Sequence, residues 1–279
     1  MFASKSRLSA AATTTRRLIQ QYTHNQANSL KLSPASAAIP FNYRLVQKKS
    51  YFTSMVQMSE QQQEQSSSHR KPPTLTRETY QNLVKNAPDH LRTVIKFEAE
   101  WCKTCENVAP LLERAVSEVN ALFEKDRLQY FVVDVEEDDE MASAFSVQSL
   151  PSIFTVHKDH LLEKIVATGQ TDVSKLRILF LKAFVEKRDG EFVIDFGKNG
   201  KACLKYASQG DDPKHVVFSH VEAPPTVRGH QVGDALAEYA FLHARKEGWK
   251  VVPTCSWIVK KYLGNEKTKN RFKSVLVDK

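Results

Sequence analysis

The alternation of apolar and polar positions changes character several times along the chain, and those changes mark its elements. From Leu75 onward, "TVIKF" (Thr93 to Phe97) reads as a short strand. Val108, Leu111, Leu112, Ala115, Val116, Val119, Leu122 and Phe123 then recur at helical spacing, with Pro110 expected to bend that helix. "LQYFVVDV" (Leu128 to Val135) is a nearly continuous apolar run, as for a strand buried on both faces. "DDEMASAF" opens with acids suited to a first helical turn. "SIFTVHK" and "KIVAT" read as strands with a turn between them, and "DVSKLRILFLKAF" as a closing helix. After "VEKRDG" the pattern shifts toward strands. "EFVIDF" and "KACLKYAS" alternate on either side of "GKNG", a hairpin turn centred on Asn199-Gly200. "KHVVFSHVEAP" predicts a third strand and "RGHQVGDALAEYAFLHARKEG" a glycine-led helix. "WKVVPTCSW" predicts a fourth strand, ended by Pro253, and "WIVKKYL" a short helix.

The first part of the chain follows no such pattern. Residues 1–59 contain Ser, Ala, Thr, Gln and Arg but no Asp or Glu. The eight cations there equal the whole formal excess of +8, so residues 60–279 are neutral overall. That location turns the basic balance away from nucleic acid, whose partners carry positive charge on the folded part. An acid-free, Arg- and Ser-rich start has the composition of a mitochondrial transit peptide, with delivery to the matrix; a cytoplasmic location is the alternative. "SEQQQEQSSSHRKPP" is too polar to bury a core and reads as a linker. The organisation expected is therefore 1–58 targeting or disordered, 59–75 linker, 76–187 a first domain and 188–279 a second. No apolar run approaches the ~20 residues of a membrane-spanning helix.

Four cysteines are too few for a disulfide scaffold. Cys102 and Cys105 nevertheless stand in "FEAEWCKTCENVAP", at the end of a strand and the start of a helix. The pair could be half a zinc site, a structural disulfide or a redox couple. A structural zinc site wants four ligands, and Cys203 and Cys255 fall in the other domain, so no metal is expected. A bridge across two residues closes too small a loop to stabilise much. At a helix N-terminus the amide dipoles favour the thiolate of Cys102, and Lys103 adds positive charge.

Residues 76–187 resemble thioredoxin, through "FEAEWCKTC", Pro110, "VVDVEED" and "VQSLPSIFTVHKDH". The resemblance implies that Cys102 attacks a disulfide-containing protein and Cys105 resolves the mixed disulfide. It implies that Trp101 and a cis Pro151 face the substrate, and that an upstream thiol reductase restores the dithiol. Two departures stand out. Lys103-Thr104 replace the usual Gly-Pro, and Lys96 and Glu98 occupy the places of a buried aspartate and an aromatic. Either Lys96 and Glu98 neutralise each other beneath the site, or Lys96 snorkels to solvent.

Residues 189–276 resemble a small GNAT-type N-acetyltransferase, through "HVEAPPTVRG" and "VVPTCSWIVKKYL". The resemblance implies that the loop Arg228, Gly229, His230, Gln231, Val232, Gly233 cradles the pyrophosphate of acetyl-CoA, with Gln231 where the family has glycine. His220 and Glu222 are the candidate bases for an amine acceptor of unknown identity, and Cys255 reads as a small buried apolar residue. The fold class expected is α/β, a thioredoxin fold followed by a small GNAT-like domain. The function expected is a dithiol–disulfide oxidoreductase joined to an acetyl-CoA-dependent acetyltransferase. The alternative is a non-catalytic redox-sensing or binding protein with a degenerate second domain.

Overall fold

The computed structural model describes residues 72–210 and 212–277. The targeting segment expected at 1–58 and most of the linker lie outside the described residues. Pro73 to Leu75, at the end of that linker, lie along the second strand. Leu75 donates its amide to Val132 at 2.7 Å, and Val132 returns one to Pro73 at 3.1 Å.

In the first half, α1 (Arg77–Tyr80) is started by a capping box between Thr76 and Thr79 and continues as a π turn over Gln81–Lys85. The sheet is built from β1 (Arg92–Glu98), β2 (Leu128–Asp134), β3 (Ser152–His157) and β4 (His160–Val166), in the order β2-β1-β3-β4. β1 pairs parallel with β2 and antiparallel with β3, so it is the central strand and is buried on both faces. One face carries α2 (Lys103–Asn120), which runs on through Pro110, and α4 (Val173–Lys182); the short helix α3 (Asp139–Ala144) belongs to the other.

The second half is a five-stranded sheet ordered β5-β6-β7-β8-β9. β6 (Glu191–Asp195), β7 (Lys201–Gln209) and β8 (Asp212–Glu222) form the antiparallel run, and β9 (Lys250–Pro253) pairs parallel with β8 after crossing over through α5 (Val232–Glu247). Pairing with β9 stops at Phe218, opposite Pro253. Beyond it, Ser219 is an extra residue in the β7–β8 ladder, and His220 to Glu222 stay paired with β7 but have no partner in β9.

Two elements are not legible in the patterning. β5 (Glu186–Arg188) is three charged residues at the sheet edge, inside what reads as a break, and α6 (Glu266–Phe272) is a short helix capped by Asn265 with one buried side chain. "WIVKKYL" forms a π turn at Ile258–Tyr262.

The two halves share a core. Phe123, after α2, packs at 4.9 Å against both Phe184 and Phe196, and the side chain of Asn199 in the β6–β7 turn donates to Leu122 at 2.9 Å. The buried cluster that includes Val94, Leu112 and Phe180 continues without interruption to Phe218, Leu236 and Phe241. No helix among the described residues is long and apolar enough to cross a membrane.

Candidate functional site

β1 ends at Glu98, and four residues later Cys102 takes an extended conformation as the N-cap of α2. The amide of Cys105 donates to Cys102 Sγ at 3.2 Å, so a sulfur replaces the hydroxyl or carboxylate that usually satisfies a first-turn donor. The two sulfurs are joined in a disulfide of 2.07 Å, and both residues are buried. Trp101 beside them is 71% exposed, its indole donating to Glu136 at 3.0 Å. The Leu150–Pro151 peptide is cis. Phe97 pairs with Ser152, so Pro151 stands at the same end of the sheet as the cysteines. Lys103, expected to add positive charge beside Cys102, is exposed and paired with Glu106.

Lys96 does not snorkel. Its side chain is 1% exposed and forms an ion pair with Glu98, two residues on and on the same strand face. That face packs under α2, because its neighbour Val94 belongs with Val108 and Leu112 to the shared core. Tyr130 of β2 adjoins it; burial, reinforced by Glu98 and Glu113, pushes its phenol well above the usual range. A neutral ion pair with a phenol beside it thus lies on the β1 face that α2 covers.

The second constellation follows β8. A 3-10 turn (Pro225–Val227) leads into Arg228, whose Nε donates back to the Ala223 carbonyl at 2.9 Å and braces the entry. Gly229 has φ 82° with open space where a Cβ would stand. Gln231, the N-cap of α5, has φ 58° and ψ 21°, the left-handed conformation that glycine adopts without strain. The side chain replaces a glycine, but the backbone keeps the glycine-like turn. Gly233 stands close against the Trp257 ring, and a Cβ there would lie 3.0 Å from it, so the ring would have to give way.

His220, Glu222, Arg228, Gly233, Asp234 and Trp257 help to line a cavity of about 550 Å³ over this loop. His220 Nε2 and Glu222 Oε2 are 3.8 Å apart and both side chains are more than half exposed, so the structure brings the two candidate bases together at the cavity mouth. Trp257 and Asp234 escape a reading of the sequence. The glycine next to Asp234 is the only local hint of Trp257. Burial raises the carboxyl of Asp234, although it sits in the first turn of a helix. Cys255 is buried; Cys203 is also buried, and desolvation followed by Glu191 pushes its thiol up. Among the described residues no cluster of His, Cys, Asp or Glu is placed to hold a metal.

The loop fits a diphosphate on its own geometry. The first-turn amides of α5 are available to an anion, Gly229 leaves room for close approach, and the buried His230 Nδ1 has no partner.

Comparison with known proteins matches two separate stretches of the chain. Residues 71–179 match the family model described as thioredoxin, and residues 191–271 the one described as GCN5-related N-acetyl-transferase. The chain is 30% identical over 100 residues to thioredoxin H-type of Brassica campestris, covering 35% of this chain and 76% of that protein. It is 26% identical over 102 residues to thioredoxin H5 of Arabidopsis thaliana (36% of this chain, 80% of the relative). It is 36% identical over 78 residues to thioredoxin of Geodia cydonium (28% and 66%).

Proposed function

Starting from a chain that belongs to the thioredoxin family and carries a GCN5-related N-acetyltransferase domain, we propose that it is a dithiol–disulfide oxidoreductase joined to an acetyl-CoA-dependent N-acetyltransferase. The observation that carries the first activity is the Cys102–Cys105 disulfide at a helix N-terminus, at the sheet end that holds cis Pro151. The reduced Cys102 thiolate attacks one sulfur of a protein disulfide and expels the other as a thiolate. Cys105 then attacks Cys102 Sγ, which releases the second substrate thiol and leaves the intramolecular disulfide. Two electrons have passed to the substrate, and an upstream thiol reductase returns them. An insulin-reduction assay tests this: turbidity should appear with the wild type and dithiothreitol, and not with Cys102→Ser.

In the second activity, acetyl-CoA when bound supplies an activated acetyl thioester. The amides of residues 229–233 hold its diphosphate, and Arg228 keeps the loop in place through Ala223. His220 or Glu222 takes the proton that the acceptor amine loses on acylation. Calorimetry of the full chain with acetyl-CoA tests the reading, and absence of heat would remove it.

A second reading, a redox-sensing or binding protein, is favoured by the Lys96–Glu98 pair, because it puts an ion pair where a lone acid would assist Cys105. The acid-free N-terminal composition supports delivery to mitochondria. A fluorescent fusion of residues 1–60 that stays cytosolic would count against it.

A further inference from the structure

A second cleft, of about 650 Å³, opens between the two halves where α4 passes α5. Asp234 lines both this cleft and the cavity over the loop, so the two are neighbours across the first turn of α5. Glu238, one turn further along α5, also lines the cleft. The helix that begins at the loop therefore leads directly into it.

Most of the acids in the cleft are already committed. Glu238 accepts the Tyr262 hydroxyl at 2.7 Å and pairs with Arg271 at 2.6 Å. Glu163 pairs with Lys182 at 2.8 Å. Asp234 is held toward its neutral form by burial. Among the ammonium groups of the cleft, Lys261 has no acidic partner among the described residues, Lys164 donates to the Ser146 carbonyl at 3.1 Å, and Lys175 donates to the Gln170 carbonyl at 2.6 Å and is only loosely paired with Asp172 at 3.8 Å. Beside them Ile178 and Leu179 of α4 present an apolar wall.

We propose that this cleft takes the 3′-phosphoadenosine end of acetyl-CoA, with Lys175 and Lys261 meeting the 3′-phosphate and Ile178 and Leu179 covering the adenine. The inference rests on the acetyl-CoA reading of the loop. The ligand is a series of thioester, pantetheine arm, diphosphate and phosphorylated adenosine. With the thioester toward His220 and the diphosphate on the loop amides, the remaining segment continues past the loop, and α5 brings it to the cleft. The redox half thereby builds one wall of the acyl-donor site.

The test is calorimetry on the full chain with three probes: acetyl-CoA, its 3′-dephospho analogue, and adenosine 3′,5′-bisphosphate. Each is titrated into wild type and a Lys175→Ala/Lys261→Ala double variant of unchanged melting temperature. Removing the 3′-phosphate should weaken binding to wild type roughly tenfold, the size of a charge-assisted contact. The double variant should lose the same factor for acetyl-CoA and nothing for the dephospho analogue. Equal affinity of wild type for the two coenzymes, or an equal loss for both in the variant, overturns the proposal. If acetyl-CoA gives no heat but the bisphosphate binds in a lysine-dependent way, the cleft stands as a nucleotide site and the acetyltransferase reading falls. If neither binds, both fall.

Discussion

A Cβ on Gly233 would meet Cζ2 of Trp257 at 3.0 Å and Cη2 at 3.1 Å, so any larger residue at the end of the loop must push against an indole. The ring is part of the cavity lining and stacks on Tyr262 at 6.3 Å, which limits its freedom to retreat. Gly233→Ala should therefore displace the loop and weaken acetyl-CoA binding about tenfold. Trp257→Ala added to that variant should restore part of the loss. Gly233→Glu, which adds a charge beside phosphate, should show no binding by calorimetry at any concentration of coenzyme tested.

Gln231 sits at φ 58° without a side-chain hydrogen bond to the first turn of α5. A left-handed conformation costs a residue with a Cβ about 1 kcal/mol, and glycine avoids it. Gln231→Gly should raise the melting temperature by a few degrees and tighten acetyl-CoA binding. A lower melting temperature would mean that the side chain holds the loop and that backbone strain is the smaller effect.

The buried Lys96–Glu98 pair makes an asymmetric prediction. Glu98→Gln leaves an ammonium 1% exposed without its counter-charge and should cost about 3 kcal/mol in a denaturant titration. The double change Lys96→Met/Glu98→Gln removes both charges and should regain most of it, since a buried pair and an apolar replacement are of similar stability. Equal destabilisation by the single and double variants would show that the pair is not what Glu98 contributes.

After reduction, Cys102 should be the first thiol alkylated at neutral pH. It is the N-cap of α2, where dipoles favour the thiolate, while Cys105 lies inside the first turn; both are buried, Cys105 the more deeply. The Cys203 thiol is raised by burial and Glu191, so at pH 7 it holds less thiolate than an ordinary cysteine and should react late. Mass spectrometry of timed iodoacetamide reactions gives the order, and labelling of Cys105 first would exchange the roles assigned to the pair.

Phe123 joins the halves through Phe184 and Phe196. Residues 72–277 should therefore unfold in one calorimetric transition, and Phe123→Ala should destabilise by roughly 3–5 kcal/mol. Two resolved transitions in the wild type would contradict a common core.

Local pattern determined much of this protein. The apolar run of β2, the helical spacing of α2 and the alternation in β6 and β7 follow from each residue's need to bury its apolar side, which periodicity records directly. The cysteine pair was legible because its chemistry depends on neighbours in sequence, namely a strand end and a helix start. The same holds for the loop from Arg228 to Gly233, a strand-to-helix turn. Tertiary structure decided what depends on distant partners. Lys96 could be exposed or buried until Glu98 and the packing of α2 were in place. Gln231 stands where the resembled family has glycine, and only the fold shows that its left-handed backbone keeps the turn open. Trp257 and Asp234 reach the cavity from positions whose local pattern is that of ordinary helix and turn. Phe123 reads as the end of one helical stripe, and only the fold brings Phe196, some seventy residues later, against it.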